Sequence, residues 1–89
     1  MATVRLDGML SAFVAKRLLD THATTVEALI DELEGEFPKL RHRLRDETRV
    51  MRPFVRVYVN GEEIRELAGV RTPLAPNDSV EILHSIQGG

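Results

Sequence analysis

Apolar and polar residues alternate over residues 3–7, with Val4 and Leu6 on one face and Thr3, Arg5 and Asp7 on the other. A period of two predicts a half-buried strand. Asp7-Gly8 then reads as a turn dipeptide. Residues 9–15 are apolar but irregular, and 16–20 read as a second strand. The opening therefore predicts a hairpin with a long connection, or alternatively a short helix within 10–19. Thr24 with Glu27 three residues on forms a capping-box pattern. Val26, Leu29, Ile30, Leu33 and Phe37 follow at helical spacing, with Asp31, Glu32, Glu34 and Glu36 on the remaining surface. Gly35 and Pro38 mark the expected stop. Leu40 and Leu44, four apart, predict a further turn or two of helix across 39–45.

The period returns to two at residues 54–59, where Val55, Val57 and Val59 face inward and Arg56 and Tyr58 outward. Asn60-Gly61 is a strong signal for a tight hairpin turn, because both central residues of such a turn need positive φ. A short strand over 62–65 is expected to pair back. Residues 67–78 carry Gly69, Pro73, Pro76 and Asn77-Asp78 and read as irregular connection. The last strand is expected over 80–86. One main helix over one mixed sheet of four to five strands is a two-layer α+β arrangement, with the first and last strands parallel at the sheet centre.

Composition adds limits. Eighty-nine residues allow one modest core, and 43% hydrophobic with 29% charged residues is ordinary for a soluble domain. A net charge of −2 gives no bias toward nucleic acid or an anionic membrane. Without cysteine there is no disulfide, no thiolate metal site and no thiol nucleophile. No apolar run approaches the ~18 residues of a membrane span. The first five residues lack the basic and apolar regions of a secretory signal, so the chain reads as cytosolic.

Side-chain chemistry is sparse. His22, His42 and His84 are widely separated and have no partner at metal-ligand spacing, so no metal is expected. Neither a nucleophile elbow nor a phosphate-cradling glycine loop occurs. Lys39, Arg41, Arg43, Arg45, Arg49 and Arg52 make a basic run offset only by Asp46 and Glu47. With one tyrosine and no tryptophan, stacking platforms are scarce. The run reads as a solvated face or an electrostatic match to an acidic partner, rather than a nucleic-acid site.

The sequence closes on Gly88-Gly89. Glycine has no Cβ, so a pair of them is flexible and slim enough to thread a narrow tunnel. At ordinary glycine usage such a pair arises by chance in about one chain in 200, which makes it suggestive only in company. The company is an ordered set: Val4-Arg5-Leu6-Asp7-Gly8-Met9-Leu10; Thr25-Val26-Glu27-Ala28-Leu29-Ile30-Asp31-Glu32-Leu33; Phe37-Pro38-Lys39-Leu40; Val57-Tyr58-Val59-Asn60-Gly61-Glu62; Asn77-Asp78-Ser79-Val80-Glu81-Ile82-Leu83; and the glycines. Taken together this set resembles the MoaD/ThiS family of sulfur carriers, which have the ubiquitin-like β-grasp fold. Length and the extended connection over 45–54 resemble the CysO-type carriers within it. One departure is His84-Ser85, where many relatives carry proline.

The resemblance implies a β-grasp domain over 1–86 with a tail at 87–89. It implies that Gly89 is adenylated by a ubiquitin-activating-type enzyme using ATP. A sulfur donor then makes a thiocarboxylate, which passes sulfur to a biosynthetic enzyme making a cysteine, cofactor or secondary-metabolite product. The chain would be a protein co-substrate, monomeric when free, with no catalytic residue and no bound cofactor of its own. The docking surface is expected beside the tail, on Arg56, Tyr58, Leu83, His84 and Ile86, although Leu83 and Ile86 also read as finishing the core. Two rival readings stand: a ubiquitin-like modifier joined through Gly89 to lysines of other proteins, and a binding module whose glycines are incidental.

Overall fold

The computed structural model describes residues 1–84. The expected end of the last strand, the boundary between domain and tail, and Ile86, Gly88 and Gly89 lie outside the described residues.

Strand β1 (Ala2–Leu6) buries Ala2, Val4 and Leu6, as its alternation predicts. The chain then differs from the expected turn. Asp7 caps a short helix α1 (Gly8–Ser11), its side chain accepting from Leu10 N at 2.8 Å. Leu10 drops fully into the core from this single turn. Strand β2 (Leu18–Thr21) runs antiparallel to β1, starting two residues later than the pattern indicates.

Helix α2 (Val26–Glu36) buries Val26, Leu29, Ile30 and Leu33. Its N-cap is Thr25, whose hydroxyl accepts from Ala28 N at 3.1 Å, and not Thr24. The Thr24 carbonyl is already engaged by Leu74 N, and Thr25 bridges to Pro73, which fixes the entry one residue later. The helix stops near Gly35 and Pro38 as expected: Gly35 is its next-to-last residue, Phe37 caps it and Pro38 opens a 3₁₀ turn, Pro38–Leu40. The expected helix over 39–45 does not continue, because Arg41 is extended and His42 takes a left-handed φ of 65°. Leu40 and Leu44 are still fully buried, brought inward by turns.

Strand β3 (Val55–Val59) sends its three valines inward. Asn60 and Gly61 take φ of 52° and 87°, the conformation a tight hairpin turn requires. The returning strand β4 (Glu62–Glu63) is shorter than expected, since the chain passes into a 3₁₀ turn that buries Ile64. A further 3₁₀ turn, Gly69–Arg71, interrupts the connection to β5 (Ser79–His84).

The sheet order is β2-β1-β5-β3-β4. β5 lies at its centre, parallel to β1 and antiparallel to β3. The apolar face of α2 packs on Val4, Leu6, Val55, Val57, Val59, Val80 and Ile82 in one continuous core. Each fully buried aliphatic side chain contributes about 1.5–3 kcal/mol, so this layer is the main source of stability. No helix among the described residues is long and apolar enough to cross a membrane.

Candidate functional site at the end of the central strand

His84, the last described residue of β5, stands five positions before Gly89 in sequence, so the residues around it form the frame of the candidate site. Alternation divides them between two faces. Val80 and Ile82 enter the core, while Glu81 and Leu83 lie on the outer face and are half-buried. Register aligns Leu83 with Arg56, and Glu81 with both Tyr58 and Arg5. Three of the residues expected to dock a partner, Arg56, Tyr58 and Leu83, therefore share one surface. Arg56 donates to Glu63 Oε1 at 3.2 Å, and Arg65 donates to Glu63 Oε2 at 2.9 Å. Arg65 also donates to the Val55 carbonyl at 3.1 Å, so an Arg-Glu-Arg chain fixes the edge of this face.

His84 is placed differently. It pairs with the inward-facing Val55, and its ring meets the Phe54 ring edge-on, with centroids 4.7 Å apart. Among the described residues, its Nδ1 is buried without a hydrogen-bond partner. His84 thus stands beside the core and not with Arg56, Tyr58 and Leu83. Ile86 lies outside the described residues.

Asp7 went unrecognised as part of this site in the sequence. Its Oδ2 accepts from His84 N at 2.6 Å, a contact spanning seventy-seven positions. Asp followed three residues later by a buried leucine is a capping signal, but the same residues also spell a turn, and nothing local points to His84.

The basic run is divided by the fold. Arg45 is 4% exposed and donates to Asp31 at 2.8 Å and to Glu34, both on α2. Arg49 reaches the same Asp31 oxygen at 2.8 Å. The hydrogen bond from Arg45, ahead of the opposing effect of burial and then the bond from Arg49, holds the Asp31 carboxyl below its usual range. Arg43 lies over the Phe13 ring at 4.3 Å. Among the described residues no group of three or more His, Cys, Asp or Glu is arranged to hold a metal ion.

The model of the ThiS family matches residues 5–89, nearly the whole chain and both glycines. The chain belongs to the ThiS family. The sulfur carrier protein CysO of Mycobacterium tuberculosis is 37% identical over 67 residues, covering 73% of this chain and 72% of that protein. A chain of the solved Amycolatopsis orientalis BexX/CysO complex superposes with a TM-score of 0.85 at 28% identity, each chain covered in full. The small archaeal modifier protein 1 of Methanosarcina acetivorans superposes with a TM-score of 0.90 at 22% identity, covering 99% of this chain and 95% of the other. At that identity the likeness concerns the fold alone, which is the ubiquitin-like β-grasp within this family too.

Proposed function

We propose that this chain is a sulfur carrier protein whose Gly89 carboxylate is the working group. The observation that carries the proposal is family membership extending through Gly88-Gly89, with a relative named as a sulfur carrier at 37% identity. A carboxylate is a poor acyl donor because oxide is a poor leaving group. Attack of the Gly89 carboxylate on the α-phosphorus of ATP, held by a ubiquitin-activating-type partner, releases pyrophosphate and leaves an acyl-adenylate. Hydrosulfide then attacks the acyl carbon, the bond to AMP breaks, and a thiocarboxylate remains. This product is a nucleophilic sulfur on a protein that an accepting biosynthetic enzyme recognises.

In this reaction the chain is a co-substrate, and ATP belongs to the activating partner. The surface offered to partners is the outer sheet face of Arg56, Tyr58 and Leu83, where half-buried apolar and aromatic groups beside an ordered arginine suit protein recognition. That a CysO chain is solved in complex with BexX supports recognition of such chains by a protein partner.

Intact-mass spectrometry after incubation with the cognate activating enzyme, MgATP and sulfide tests the proposal. The expected result is replacement of one oxygen by sulfur at Gly89, abolished by deleting Gly89 with little change in thermal midpoint. Reductant-resistant conjugates to lysine in place of that mass change would identify a protein modifier. No change in mass with the activating enzyme would leave a binding module.

A further inference from the structure

The hydrogen-bonding direction of β5 alternates along the strand. Asn60 N donates to the Ser79 carbonyl on the β3 side, whereas Asp7 N donates to the Ile82 carbonyl on the β1 side. His84, two residues beyond Ile82, turns its N–H to the β1 side as well. No strand backbone meets it there, because β1 ends at Leu6 and the chain has entered α1. The Asp7 carboxylate takes the vacant role: Oδ2 accepts from His84 N at 2.6 Å while Oδ1 accepts from Leu10 N at 2.8 Å. On its other side His84 is held by register with Val55 and by the Phe54 ring. A charged acceptor on a backbone N–H is among the stronger hydrogen bonds a protein makes.

We propose that Asp7 is a positioning residue for the terminal glycines. Its carboxylate anchors the backbone N–H of His84, the last described position before the chain runs on to Gly89, and the inference rests on the carrier reading given above. Gly89 lies five positions beyond His84 in sequence, a reach of at most about 18 Å. The anchoring of His84 therefore bounds where the carboxylate can be delivered, and acyl transfer depends on placement within about 1 Å. Docking through the outer face and delivery of the carboxylate thus depend on different residues. Arg56, Tyr58 and Leu83 govern binding to the activating enzyme, and Asp7 governs how often a bound chain presents its carboxylate correctly.

Asp7→Asn and Asp7→Ser test this, since both side chains cap helices well. Asparagine has one acceptor oxygen for two N–H donors and no charge, and serine is too short to reach His84. Amide hydrogen exchange by NMR is expected to show His84 protection falling about tenfold, with Leu10 retained within about twofold. In steady-state adenylation, with the carrier as varied substrate, kcat is expected to fall about tenfold and KM to stay within about twofold. A merely destabilised carrier would behave differently, because an unfolded fraction of substrate raises apparent KM and spares kcat. Unchanged His84 protection in both variants overturns the inference. So does lost protection with unchanged kcat, or a change confined to KM. Wild-type protein run alongside separates the two levels: if it forms no adenylate, the carrier reading itself fails, and with it any part for Asp7 in that step.

Discussion

Left-handed backbone costs a residue with a Cβ about 1–2 kcal/mol. Ala15, His42 and Arg49 adopt it, with φ of 61°, 65° and 68°. For Arg49 the conformation accompanies the contact with Asp31. Ala15 is exposed and makes no comparable side-chain contact, so Ala15→Gly should relieve strain that exceeds glycine's larger entropy loss. The expected gain is about 0.5–1 kcal/mol, read as a higher urea midpoint at unchanged slope. Gly61 provides the opposite case. An added Cβ would meet nothing within 4 Å, yet φ is +87°. Gly61→Ala is therefore expected to lose about 1 kcal/mol through conformation alone. A loss for Ala15→Gly in the same titration would show that position 15 is not strained.

Between elements, the critical join is that of α2 to the connection before β3. Arg45 is nearly sealed, Glu34 is 16% exposed and Asp31 is 47% exposed. Removing Arg45 leaves Glu34 with little water to replace it, so Arg45→Ala should cost about 2–4 kcal/mol. Asp31→Asn should cost under about 1 kcal/mol, because its site is open and Glu34 still holds the guanidinium. Equal costs in denaturant unfolding would count against this division. The join was invisible in the sequence, where Arg45 sat in a basic run that reads as solvated; its acceptors lie 11 and 14 positions earlier, on a helix face that reads as exposed. What could be read were the elements with one face in the core, β1, α2, β3 and β5, since burial imposes a period. Single turns such as α1 have no period, and their capping residues also spell turns. Arg56, Tyr58 and Leu83 were legible as neighbours from alternation. The same counting puts His84 with Val80 and Ile82, whereas its link to Asp7 follows only from where β1 stops.

For the molecule as a whole, three carboxyls, Asp31, Asp46 and Asp78, are held below the ordinary value of 3.8. Arginine contact dominates for Asp31, the Thr48 hydroxyl for Asp46 and the Ala75 N–H for Asp78. A carboxyl whose folded value is depressed binds protons more readily when the chain unfolds. Its contribution is complete above the unfolded value and is lost as pH falls through the folded one. Urea midpoints should accordingly vary little from about pH 7 to 5 and fall below about pH 4. Asp31→Asn should make that fall shallower. A final consequence concerns synthesis. β5 is the last strand of the described chain to leave the ribosome, yet it occupies the centre of the sheet, between β1 and β3. A nascent polypeptide lacking it has two hairpins and no shared middle. The outer face assembles only when β5 inserts, and the same insertion brings His84 to Asp7. Translation products that stop before β5 therefore lack both the outer face of Arg56, Tyr58 and Leu83 and the contact of His84 with Asp7.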